Sequence, residues 1–182
     1  MAVLKALRIL SVACLLLVSQ RAAPAANEYQ VKAVFLYNFS RFVEWPASAF
    51  ANATAPLVVG VFGHDPFGRQ LDEVVRGESV AGRPLIVRRV ETLAEANACH
   101  ILFIHQSESA QLEKLLAAID HNSVLTVSDL PGATQHGVMI RLVTEDGRIR
   151  MRIDVEAARA AHLTLSSNLL RAAQIVAQEG AQ

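Results

Sequence analysis

The stretch that decides the fold is Leu57-Val-Val-Gly-Val-Phe-Gly-His-Asp-Pro-Phe-Gly68. Its first six residues form a short, β-branched run that reads as a strand. Gly63 to Gly68 follows as a turn, and Leu71, Val74 and Val75 then mark a helix. The same order repeats downstream. Leu85 to Val90 reads as a second strand, Leu93 to Ala98 as a short helix, and Ile101 to His105 as a third strand. Ser107 or Ser109 is expected to cap a helix through Leu112, Leu115, Leu116 and Ile119. Val124 to Val127 is a fourth strand. Strands that are apolar almost throughout, with helices between them, predict a parallel sheet covered on both faces.

Toward the C-terminus the pattern changes. Val138 to Val143 and Arg148 to Ile153 flank Thr144-Glu-Asp-Gly147, and the Asp146-Gly147 pair is a strong hairpin signal. Helical segments near Val155 to Ala161 and Ser166 to Ala177 close the chain. Toward the N-terminus, Tyr29 to Trp45 reads as an amphipathic helix that Pro46 stops. Val31, Val34, Phe35, Phe39, Phe42 and Val43 recur at three- and four-residue spacing and predict its buried stripe, with Lys32, Asn38 and Arg41 largely elsewhere. The expected fold is therefore α/β: a single three-layer domain with a largely parallel central sheet, a C-terminal antiparallel hairpin, and helices on both faces.

Residues 1 to 26 read as a secretory signal peptide. Lys5 and Arg8 supply its positive start, and the apolar run Ile9 to Val18 falls short of the roughly 20 residues that a bilayer span needs. Ala23-Pro24-Ala25 fits the small-residue cleavage pattern, so the cut is expected after Ala25 or Ala26. Residues 27 to 182 would then form the exported domain, with no membrane insertion expected of them. Cys14 lies inside the apolar run, not after it, which argues against a lipid anchor. Loss of Lys5, Arg8 and Arg21 leaves 14 basic against 17 acidic side chains, a formal charge of −3. Nucleic-acid binding needs a concentrated basic footprint and is not expected. Only one of the two cysteines, Cys99, remains after cleavage, so no intrachain disulfide can form and packing must supply the stability.

No catalytic constellation stands out. The six histidines form no HxH, HxxxH or HxxC pair, and no metal or cofactor is expected. There is no Gly-x-Ser-x-Gly elbow. Ser128-Asp129 ends a strand, yet Pro131-Gly132 just beyond makes Asp129 read as a turn former. Gly63, His64, Asp65 and Gly68 sit at a strand-to-helix turn where α/β sheets often bind ligands. They are the candidate ligand-binding residues, although Asp65 as helix N-cap and Pro66 at the first helical position explain the turn without a ligand. Arg148, Arg150 and Arg152 alternate with Ile149, Met151 and Ile153, which gives one cationic and one apolar face. Strand geometry holds such arginines roughly 7 Å apart, a row able to pair with acids on a partner. With Tyr37 and Trp45, the one tryptophan, they are the candidate partner-binding residues.

Several stretches resemble the YfiR-like family of periplasmic proteins. They are Lys32-Ala-Val-Phe-Leu-Tyr-Asn-Phe39, Phe42-Val-Glu-Trp-Pro46, Asp65-Pro-Phe-Gly68, Gly82-Arg-Pro84, Cys99-His-Ile-Leu-Phe-Ile104, Val124-Leu-Thr-Val-Ser-Asp129, Ala157-Ala-Arg159 and Ser166-Ser-Asn-Leu-Leu-Arg171. Together they span about Tyr29 to Val176. The resemblance implies a non-enzymatic periplasmic regulator. Its partner would be the periplasmic domain of an inner-membrane sensor or diguanylate cyclase, held inactive so that cyclic-di-GMP synthesis and biofilm formation are repressed. It also implies that a homodimer can form. Relatives can carry disulfides, whereas Cys99 here has no partner after cleavage. A second reading is a periplasmic small-molecule-binding sensor module that acts with a sensor kinase or an outer-membrane receptor.

Overall fold

The computed structural model describes residues 24–119 and 122–176. Most of the expected leader, residues 1–23, lies outside them, as does the expected helix beyond residue 176. Helix α1 (Pro24–Phe42) opens the described chain. Strands β1 (Val43–Glu44) and β2 (Leu57–Phe62), helix α2 (Arg69–Val75), strands β3 (Ser79–Val80) and β4 (Arg83–Val90), helix α3 (Leu93–Asn97) and strand β5 (Ile101–Ile104) follow. A 3-10 segment, Gln106–Gln111, leads into α4 (Leu112–Ile119) and β6 (Leu125–Ser128). Beyond a second 3-10 segment, Ala133–His136, come β7 (Ile140–Glu145), β8 (Arg148–Asp154), α5 (Val155–Ala160), β9 (Thr164–Leu165), α6 (Ser167–Arg171) and β10 (Gln174–Val176).

The main sheet has eight strands in the order β10-β8-β7-β6-β5-β2-β4-β3. The run β4-β2-β5-β6-β7 is parallel throughout, β8 returns antiparallel to β7, and β10 lies parallel to β8. This is the expected architecture, and its parallel run has the flavodoxin-like winding. Helices cover both faces. Leu57, Val59, Val61, Ile101, Phe103, Leu125, Val127, Ile140 and Leu142 pack on one side with Ala33, Leu36 and Phe39 of α1 and Leu71 and Val75 of α2. Val58, Phe62, Leu102 and Ile104 pack on the other with Ala96 of α3 and Leu112, Leu115 and Ile119 of α4. Gly60 interrupts a β-branched strand for a steric reason. A Cβ there would sit 2.5 Å from the Cys99 sulfur and 3.0 Å from Leu102 Cδ1.

Four sequence expectations change. The buried stripe of α1 is Ala33, Leu36 and Phe39, joined by Lys32 and Ser40, while Val31 and Val34 are exposed. Helix α1 also ends at Phe42, before Trp45. Val43–Glu44 leaves the helix to pair with Thr164–Leu165, and the Ser166 N–H donates to the Phe42 carbonyl at 2.9 Å. Neither serine caps α4. His105 Nδ1 accepts from the Ser107 N–H and starts the 3-10 segment instead. The last helix stops at Arg171, because Ile175 and Val176 join the β8 edge as a strand. The Asp146-Gly147 tip has φ of 50° and 71°, the left-handed pair that a two-residue hairpin turn requires.

Candidate functional site

The winding direction reverses between β2 and β5, so their carboxyl ends flank the crevice where open α/β sheets bind ligands. Here that crevice is filled. Gly63 has φ +85°, and Glu108 lies where its Cβ would project, with Glu108 Cγ at 2.4 Å from that point. His64 packs edge-on against His105 with ring centres 5.3 Å apart. Burial holds the His105 imidazole below its ordinary pKa.

The candidate ligand turn is braced from within. Asp65 Oδ1 accepts from the Phe67 and Gly68 N–H groups at 2.8 and 3.2 Å. Its Oδ2 accepts from Arg89 Nε at 2.9 Å. The Arg89 guanidinium also donates to both Asp72 oxygens and to the Gly68 carbonyl. These bonds hold the Asp72 carboxyl below its usual range. Asp65 is thus a turn organiser and not the expected helix cap. Gly68, at φ +52°, occupies the N-cap position and delays the helix to Arg69, while Phe67 turns into the core.

Trp45 and Tyr37 also make internal contacts. Trp45 Nε1 donates to the His100 carbonyl at 3.2 Å. His100 Nδ1 accepts from the Val58 N–H at 3.1 Å, which leaves Nε2 to donate to the Ala49 carbonyl at 3.2 Å. Phe50 stacks on the His100 ring at 4.4 Å, and Arg83 lies 3.6 Å over Phe50. Tyr37 Oη donates to Glu78 Oε2 at 2.7 Å. Burial, and to a lesser degree Arg83, lowers the His100 pKa below its ordinary 6.5. The folded state therefore resists protonation that the unfolded chain accepts, and stability falls as pH drops below about 6.5. Urea midpoints measured at pH 7.5 and 5.5 should differ more for the wild type than for His100→Gln. Equal differences would remove His100 as the source. Cys99 is buried, and desolvation pushes its thiol up to about 11, which leaves little thiolate to react.

Two of the three arginines in the row are open to solvent, and Arg152 is half-buried. Ile149, Met151 and Ile153 turn toward the core, while Arg148 and Arg150 are exposed on the opposite face. Arg152 reaches Glu145 at 2.7 Å. Arg141 on β7 lies directly across from Arg152 and adds a fourth guanidinium that sequence reading missed. Desolvation and the Arg152 charge lower its pKa. The cluster that α3 and α4 form on this face takes in Ile86 and Val90 of β4, Val58 and Phe62 of β2 and Leu102 and Ile104 of β5, and no residue of the β7–β8 hairpin. Arg83, Arg88 and Arg89 do not extend the row. They lie on β4, five strand spacings or roughly 24 Å from β8.

A second group of charges sits where α1 crosses the end of β6. Asp129 follows β6, and its side chain is only 5% exposed. Its Oδ2 accepts from Lys32 Nζ and Tyr29 Oη, both at 2.8 Å. Lys32 also pairs with Glu28 at 2.6 Å, one helical turn away. Burial and the Asp129 bond raise the Tyr29 pKa far above its ordinary value. Asp129 is therefore an ion-pair partner and not merely a turn former. The one local signal in the sequence is Glu28 at i−4 from Lys32, which lies outside the predicted apolar stripe.

Among the described residues, no three of His, Cys, Asp and Glu are grouped to hold a metal ion, and no helix is long and apolar enough to cross a membrane. The fold is that of a doubly wound α/β protein with exposed arginines on its C-terminal hairpin. The chain belongs to the YfiR/HmsC-like family, whose sequence model matches residues 29–174. That family comprises periplasmic regulators of cyclic-di-GMP signalling that act with membrane signalling proteins. No curated protein matches the chain.

Proposed function

We propose that this protein is exported, loses its leader after Ala25 or Ala26, and represses an inner-membrane diguanylate cyclase by binding the cyclase's periplasmic part. Binding one conformation of that partner more tightly than the other holds the population in the inactive state. The observation that carries this reading is the cationic hairpin face. Arg148 and Arg150 project into solvent from the face of β8 opposite its buried Met151 and Ile153 and make no ion pair among the described residues. An acidic partner surface would complete their hydrogen bonding. Tyr37 and Trp45, both bonded within the chain, lie outside the proposed surface.

Deleting the gene should raise cyclic-di-GMP, and restoring the wild-type chain should lower it again. A chain carrying Arg148→Glu and Arg150→Glu should fold normally, lose capture of the membrane partner by at least about tenfold, and fail to restore repression. Unchanged capture would remove the hairpin from the interface. Unchanged cyclic-di-GMP on deletion would remove the cyclase.

A further inference from the structure

A cavity of about 410 Å³ lies between α1, the Asp129 turn and the part of β7 that extends past β6. Tyr29, Lys32, Gln106, Asp129, Arg141 and Val143 are among its walls. It falls within the size range of small-molecule sites and lies at the carboxyl end of parallel strands. Two of its polar groups are unsatisfied. Asp129 Oδ1 and Arg141 Nε are both buried without a hydrogen-bond partner. Asp129 is more than nine-tenths buried, and only its other oxygen is engaged by Lys32 and Tyr29. Orphaned groups of this kind cost free energy unless something meets them.

The chemistry of the walls specifies what would meet them. Glu28 and Asp129 balance Lys32 and Arg141, so the lining is neutral overall and favours neither a bare anion nor a bare cation. Asp129 Oδ1 can only accept a hydrogen bond, and a guanidinium can only donate. A ligand that satisfies both carries a donor at one end and an anionic acceptor at the other.

We propose that this cavity binds a small amino-carboxylate zwitterion, its ammonium donating to Asp129 Oδ1 and its carboxylate accepting from Arg141. The site is separate from the Gly63–Gly68 turn, whose Asp65 is already engaged. It adjoins the proposed partner-binding face through Arg141, but Arg148 and Arg150, which carry that reading, do not line it.

Calorimetric titration of the purified protein with glycine, β-alanine, γ-aminobutyrate and 5-aminovalerate uses chain length as a ruler between the two charges. Acetate and n-butylamine serve as single-headed controls. One length should bind at least tenfold more tightly than either control. Arg141→Gln should weaken that binding tenfold or more without lowering the melting temperature, because it also relieves the Arg141–Arg152 opposition. Asp129→Asn should weaken it as well. The Arg148→Glu, Arg150→Glu chain should bind as the wild type does. Absence of binding across the series, undiminished binding by Arg141→Gln, or loss of binding in the hairpin variant would each overturn the assignment.

Discussion

Lys32→Met should destabilise the fold by about 3–5 kcal/mol, measured as a fall in the urea midpoint at pH 7. The methionine fills the same space, so packing is largely kept. What is lost is the one cation bonded to Asp129 among the described residues, and the Asp129 side chain is 5% exposed. A buried carboxylate left without its counter-charge bears its full desolvation cost. Adding Asp129→Asn to Lys32→Met should recover much of the loss. The neutral amide still accepts from Tyr29 and no longer needs a cation. Strict additivity of the two substitutions, or a loss below about 1 kcal/mol for the first, would show that the pair is solvated and contributes little.

Phe103→Ala should cost a comparable amount, about 3–5 kcal/mol. Phe103 is fully buried on β5, the strand at the centre of the parallel run. Its ring meets Phe67 edge-on at 4.8 Å, and Phe67 meets Tyr29 edge-on at 5.6 Å. This aromatic column ties the sheet to the Gly63–Gly68 turn and then to α1. Such pairs contribute about 0.5–1.5 kcal/mol each beyond the area they bury. Phe103→Leu keeps most of the volume and should cost less than about 1.5 kcal/mol. Similar losses for alanine and leucine would mean that the cavity collapses and that the column is not rigid. Since domains of this size are stable by about 5–15 kcal/mol, either lesion removes a large share of the total.

The parallel strands were legible because each is buried on both faces and must be apolar nearly throughout, as Leu57–Phe62 and Ile101–Ile104 are. The hairpin was legible because Asp146-Gly147 tolerates the positive φ angles of its turn. The face of α1 was not. Apolar identity pointed to Val31 and Val34, but the buried face includes Lys32. A lysine can be interior only if carboxylates meet it, and one of these, Asp129, lies 97 residues away. Strand order brings the two together, and spacing along the chain carries no trace of it. The same reason hid Arg141, whose neighbours are Arg152 on β8 and Asp129 in the turn after β6. Asp65 drew notice as a cap because Pro66 follows it, while the residue that claims its carboxylate, Arg89, comes from the next strand. Ile175 and Val176 looked helical beside Leu169 and Leu170, yet a free sheet margin outcompetes one more turn of helix.

The two margins of the eight-stranded sheet are its shortest members, β3 with two residues and β10 with three. Long unpaired margins invite strands from other molecules and seed fibrils. Beyond these stubs, Ile86–Val90 of β4 and Arg148–Met151 of β8 have a strand partner on one side only among the described residues, and Arg88, Arg89, Arg148 and Arg150 set charge along those margins. Arg152 and Ile153 have strand partners on both β7 and β10, so anything that docks there must approach through side chains, whereas Arg148–Met151 pairs with β7 alone and also offers backbone along its outer edge.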